Sequence, residues 1–153
     1  MKKLSFSIFV NAGSDDVCTY MLGLTDKSTY EQWTSVFNPT STFEGSWDKG
    51  SKMYFTGTDE NGKRGGMISR IDEHIPDRFV SIVHFGILDG DIEILDGPQV
   101  DQWAGGREEY RFEQQENNTL LTVTIDVNED HISYFNETYP AALNKLKTLI
   151  ELP

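Results

Sequence analysis

The sequence predicts an α+β domain: a curved antiparallel sheet of about six or seven strands wrapped around one long C-terminal helix, with two short helices after the first strand. Three observations lead there. The middle of the chain alternates apolar and polar residues with period two, between short turn signals. The C-terminal stretch steps its apolar residues by three and four. The connections are mostly too short for parallel crossovers, which favours a meander. A sheet with one apolar face must cover it, and the terminal helix is the element long enough to do so.

The opening "MKKLSFSIFVNAGS" imitates a signal peptide, with two lysines, an apolar stretch and then small residues. However, Leu4, Phe6, Ile8 and Val10 alternate with Ser5, Ser7 and Phe9, and strict alternation is a strand signal. A strand is placed here, and a cytoplasmic chain is expected, in which the glycosylation sequons at Asn117 and Asn136 go unused. Ser14 is the expected N-cap of a first helix carrying Val17, Met21 and Leu24, with Asp15 and Asp16 in its first turn. "STYE" offers a capping box of Ser28 and Glu31 for a second helix, which buries Tyr30, Trp33 and Phe37 and stops at Asn38-Pro39. "STFEGSW", "KMYFTGT", "GGMISRI" and "RFVSIVHFG" read as strands joined at Asp48-Lys49-Gly50, Asn61-Gly62 and Pro76-Asp77. "REEYRFEQ" and "LLTVTIDV" form a hairpin about Asn117-Asn118. Between Leu88 and Gly106 no clean strand is predicted, and loops of that length are often functional.

Ile132, Phe135, Tyr139, Leu143, Leu146 and Ile150 share one helical stripe, while Asn136, Glu137, Asn144, Lys145 and Thr148 face away. The stripe keeps its phase through Pro140, although an interior proline costs a helix roughly 3 kcal/mol. Two separate helices would have no reason to agree in phase. The expectation is one helix from about His131 to Glu151, bent over Asn136–Pro140 to lie along a curved sheet. A strongly twisted sheet gripping such a helix leaves a hollow between them.

Composition narrows the function. With 25 acidic and 13 basic residues the net charge is −12, which argues against nucleic acid and against an anionic membrane surface. No stretch approaches the ~18 apolar residues of a membrane span. One cysteine, Cys18, cannot form an internal disulfide, and with acidic neighbours it reads as a core thiol. "DGDIEILDGPQV" starts like a calcium loop with Asp89, Asp91 and Glu93, but Ile94 and Val100 stand where glycine and the bidentate glutamate belong. No phosphate-loop, dinucleotide or zinc-protease motif occurs, so neither metal nor cofactor is expected.

The phrases "NAGSDDVCTYML", "YEQWTSVF", "FEGSWDKGSKMYF", "GMISRI", "DRFVSIVHFG", "WAGGREEY" and "YFNETYPAALNKLKTLIE" cover nearly the whole chain in order. In them the chain resembles the helix-grip superfamily of START lipid-transfer domains, pollen allergens and polyketide cyclases (SRPBCC). Within it, the nearest resemblance is to the AHSA-type branch, similar to the C-terminal domain of the activator of a heat-shock chaperone ATPase. The resemblance implies one domain over residues 1–153, with a cavity between sheet and helix for an apolar or aromatic small molecule. A chaperone partner is not expected, since in the activators a separate N-terminal domain contributes to that contact and the first strand here begins at once; a chaperone-associated interaction domain is kept as an alternative reading.

The expected walls of the cavity are Trp47, Phe55, His84 and Trp103, together with Glu108, Tyr110, Phe135 and Tyr139. They supply aromatic rings with few polar groups among them. Two assignments stay open. His84 and Glu108, on neighbouring strands, form either a general acid/base pair for cyclase- or hydrolase-like chemistry or a pair of buried polar groups that satisfy each other. Trp103, at the end of the long loop, either caps the pocket or pins the loop.

Overall fold

The computed structural model describes residues 1–152. Its strands are β1 (Lys2–Val10), β2 (Thr42–Gly45), β3 (Lys52–Thr58), β4 (Arg64–Ile75), β5 (Phe79–Asp89), β6 (Ile92–Ile94), β7 (Arg107–Gln115) and β8 (Asn118–Val127). They form one eight-stranded antiparallel sheet in the order β1-β8-β7-β5-β4-β3-β2, with β6 paired to β5 beside that path. The helices are α1 (Ser14–Leu22), α2 (Lys27–Thr34), α3 (Pro98–Asp101) and α4 (Ile132–Glu151). The predicted class and order hold.

Several boundaries move, each for a local reason. Ser14 is the first residue of α1 rather than its cap, because its amide is taken by Gln114 Oε1 at 2.7 Å and Gly13 occupies the cap position. α2 starts earlier than the capping box implied. Asp26 accepts the Ser28 amide at 3.0 Å, and Glu31 turns instead to the Thr42 hydroxyl at 2.6 Å. It also ends at Thr34, before Asn38-Pro39. The last hairpin turns one residue early: Gln115 pairs with Asn118, and Glu116 takes φ 57°. The stretch after Leu88 carries an eighth strand, too short at three residues to show a period, and the single turn of α3.

α4 is one unbroken helix through Pro140. Pro140 and Asn136 are exposed, so the Asn136 carbonyl that Pro140 leaves without an amide can be hydrated. Thr138 returns its hydroxyl to the Tyr134 carbonyl at 2.6 Å, a second feature of this turn that bends helices. Tyr139, Ala142, Leu143 and Leu146 are buried, and the C-terminal half of the stripe joins Val17, Met21, Leu121 and Val123 in the core. The N-terminal half, with Phe135 half-buried, stands instead over open space.

Candidate functional site

The open space lies between the N-terminal half of α4 and the middle of the sheet. A larger cavity of about 630 Å³ reaches from Tyr30 and Phe37 past Phe55 to Phe135. A smaller one of about 440 Å³ reaches from Trp103 and Gln102 past Ile125 to Phe135. Both are bordered by Met67, His84, Glu108, Phe135 and Tyr139, so these residues stand where the two meet.

A hydrogen-bonded network runs through that wall. Ser69 Oγ lies 2.6 Å from His84 Nδ1, and His84 Nε2 lies 3.3 Å from Glu108 Oε1. The Tyr110 hydroxyl donates to Glu108 Oε2 at 3.1 Å, and the Tyr139 hydroxyl donates to the same oxygen. Local folding explains each position. Glu108 is opposite Ile82 on β5, and His84 is two residues further on, so imidazole and carboxylate meet diagonally across the ladder. An irregularity in the β4–β5 ladder between Ile68 and Ser69 pairs Ser69 directly with His84. β5 meets β7 only as far as Val83 and β6 only from Ile87, and the interval is closed by backbone bonds between His84 and Gly105-Gly106.

Three donors converging on one carboxylate fix its ionisation. Burial pushes the Glu108 carboxyl up, but the bonds from His84, Tyr139 and Tyr110 outweigh it and hold Glu108 below its ordinary value. Burial and the Glu108 charge push both phenols, Tyr110 and Tyr139, well up, so they remain protonated donors. Ser69 on one ring nitrogen and Glu108 on the other hold the His84 imidazole from both sides. Ser69 is fully buried and absent from either cavity wall, so it orients the imidazole and is closed to any substrate. Burial raises the Cys18 thiol to about 11, and Cys18 sits in the core away from the hollow. No cluster of three His, Cys, Asp or Glu side chains suited to a metal occurs among the described residues. Glu93 of the calcium-like stretch is engaged by Lys52 and Tyr54, and Asp89 by Lys63 at 2.7 Å.

No family model matches the chain, and no curated protein matches it in sequence. Solved structures do. The solution structure of the Aha1 dimer from Colwellia psychrerythraea superposes with a TM-score of 0.69 at 21% identity, over 99% of this chain and 98% of that one. A solution structure of a protein from Arthrobacter aurescens gives 0.71 at 16% identity, over 99% and 87%. A crystal structure of a protein from Nitrosomonas europaea gives 0.70 at 14%, over 97% and 94%. The chain has the helix-grip fold.

The helix-grip hollow gathers most of the expected wall. Phe55, His84, Glu108, Tyr110, Phe135 and Tyr139 border the larger cavity, whereas Trp103 borders only the smaller. Trp47 borders neither. Its ring packs among Tyr30, Phe43 and Phe55 under α2, and its indole N–H has no acceptor among the described residues. Trp33 is buried as expected, though its edge reaches the larger cavity. Sequence reasoning missed Ser69, Met67 and the role of Tyr30 and Phe37 as wall residues. Tyr30 and Phe37 carried a signal, the apolar stripe of the second helix, but a stripe does not distinguish filling a core from facing a void. None of the helices is long and apolar enough to cross a membrane, among the described residues.

Proposed function

We propose that this chain is a small binding protein of the SRPBCC superfamily, AHSA-type branch, that holds an apolar or aromatic small molecule beneath α4. One observation carries the reading: about 630 Å³ of open space with a further 440 Å³ beyond it, walled by Phe55, Phe135 and Tyr139. Protein interiors otherwise contain few voids larger than a water molecule, and this volume falls in the range of ligand pockets. The fluorescent probe N-phenyl-1-naphthylamine tests it. The wild type is expected to give saturable enhancement. Met67→Trp, which adds bulk where the two cavities meet, is expected to abolish uptake while thermal unfolding stays cooperative. A wild type without saturable enhancement overturns the reading. Native mass spectrometry of freshly purified wild type would weigh any molecule carried through purification.

The second reading, a cyclase- or hydrolase-like enzyme, is favoured by the 3.3 Å contact of His84 with Glu108 inside the hollow. Against it, the hydroxyl bonded to His84, that of Ser69, is fully buried, and Glu108 is already held by three donors. Substituting either residue in a working assay separates the readings, since an enzyme loses rate without losing binding.

A further inference from the structure

Glu108 borders both cavities, and its side chain keeps 22% of its accessibility. A carboxylate has about four lone-pair positions. Oε2 has two occupied, by the Tyr110 and Tyr139 hydroxyls, and Oε1 has one, by His84 Nε2. One acceptor position therefore remains, on Oε1, with aromatic surface on either side. We propose that the hollow selects a neutral ligand with a single hydrogen-bond donor between apolar parts (a phenol, an arylamine or an alcohol), seated with that donor on Glu108 Oε1. The inference rests on the ligand-holding reading above and adds the chemistry of the ligand.

A carboxylate ligand is the opposite case. At the centre of the hollow it meets Glu108 itself, and like charges at contact in a poorly solvated site repel strongly. The lysine and arginine side chains along the walls are already paired: Lys63 with Asp89, Arg64 with Glu44, and Arg107 with Asp72. An apolar ligand with an acceptor alone, such as an ether, leaves Oε1 stripped of water and without a donor. A buried unpaired acceptor is unfavourable. A ligand lacking the donor is thus rejected by the site rather than merely held less well.

Three naphthalenes of nearly one shape test this: 2-naphthol, 2-methoxynaphthalene and 2-naphthoate, each titrated into the protein near pH 7 and followed by backbone amide shifts. 2-Naphthol should bind at least about tenfold more tightly than the methyl ether, as expected of a hydrogen bond to a charged group, with 2-naphthoate weakest. In Glu108→Gln the naphthol advantage should fall to within about threefold, and the naphthoate should gain. If the ether matches the naphthol in the wild type, or the naphthoate exceeds it, the proposal is wrong while the ligand-holding reading stands. If none of the three binds, that reading fails and takes the proposal with it. The wild-type comparison needs no variant, so it decides the matter even if Glu108→Gln does not fold.

Discussion

Tyr139→Phe removes one oxygen from the network and little else. The ring it leaves still stacks on Phe6 at 5.3 Å between centroids and meets Phe37 edge-on at 5.0 Å, so apolar packing is retained. What is lost is a donor to an ionised carboxylate, a bond usually worth about 1.5–3 kcal/mol. Tyr110 still holds the same oxygen and cavity water can enter, so the lower half of that range is expected, about 1.5–2 kcal/mol. For a chain of this length that corresponds to roughly 3–8 °C in Tm. The pH dependence separates this from a packing defect. Glu108 is held below its ordinary 4.5, so its stabilising contribution is complete above that value and is lost as pH falls through the lower folded value. Tyr139→Phe moves the folded value back toward the ordinary one. The gap between wild type and variant should therefore be largest near neutrality and shrink below about pH 4.5. In a Glu108→Gln background the same substitution removes a neutral bond, costing about 1 kcal/mol, which leaves a coupling of roughly 0.5–1 kcal/mol. Urea denaturation of the four proteins at neutral pH and near pH 3.5 measures both. An equal cost at the two pH values, with no coupling, would refute the account of Glu108 as an anion held by its donors.

Pro140→Ala should leave stability within about 1 kcal/mol, because the gain in helix propensity is offset by poorer packing of Phe135 or Tyr139. Its effect should appear instead as a several-fold change in N-phenyl-1-naphthylamine affinity, measured by titration. Gly66→Ala should cost about 2 kcal/mol or more by denaturation, since a Cβ at φ 157° would lie 2.0 Å from the Phe55 carbonyl oxygen. Lys147 donates to the Phe9 carbonyl at 2.8 Å and Glu151 accepts the Asn11 amide at 2.9 Å, together covering one end of the exposed edge of β1. Replacing both with alanine should change stability by less than about 1 kcal/mol yet promote self-association in sedimentation, because an uncovered edge pairs with other edges. Native Cys18, raised from 9.0 to about 11, should be alkylated at least about a hundredfold more slowly than the unfolded chain at mildly alkaline pH.

The elements that read well in the sequence were those whose period survives burial. Alternation in "KMYFTGT" and "REEYRFEQ" placed β3 and β7, and the stripe from Ile132 to Ile150 fixed α4 through its proline. The pairing of His84 with Glu108 was legible for the same reason, since two period-two strands that neighbour each other set which side chains share a face. Three kinds of fact were not legible. β6, at three residues, is too short for an alternation to stand out. Caps depend on which side chain wins a competition, and Gln114, distant in sequence on β7, took the Ser14 amide. Ser69 is an ordinary serine in "GGMISRI" until an irregularity in the ladder sets it opposite His84. Trp47 fails as a wall residue because it shares a face with Phe43 that α2 covers, and a strand pattern reports the face without saying what lies on it.

The place of the charge in this fold follows from the hollow itself. Where α4 lies over the core, Leu143 and Leu146 hold it by burial, and apolar contact is enough. Over the open space that means is missing, because the side chains that would fill it would also remove the site. The Tyr139 hydroxyl reaches Glu108, and Glu108 is itself tied through His84 to Ser69, so one helix and three adjacent strands, β7, β5 and β4, are joined beside the open space. A directional bond fixes the distance between helix and sheet without filling the volume, which an apolar contact cannot do. Pro140 comes immediately after Tyr139, in the part of α4 that borders the hollow. The proline and the buried carboxylate thus act on one turn: an interior proline weakens its backbone ladder, and the carboxylate fixes its distance from the sheet.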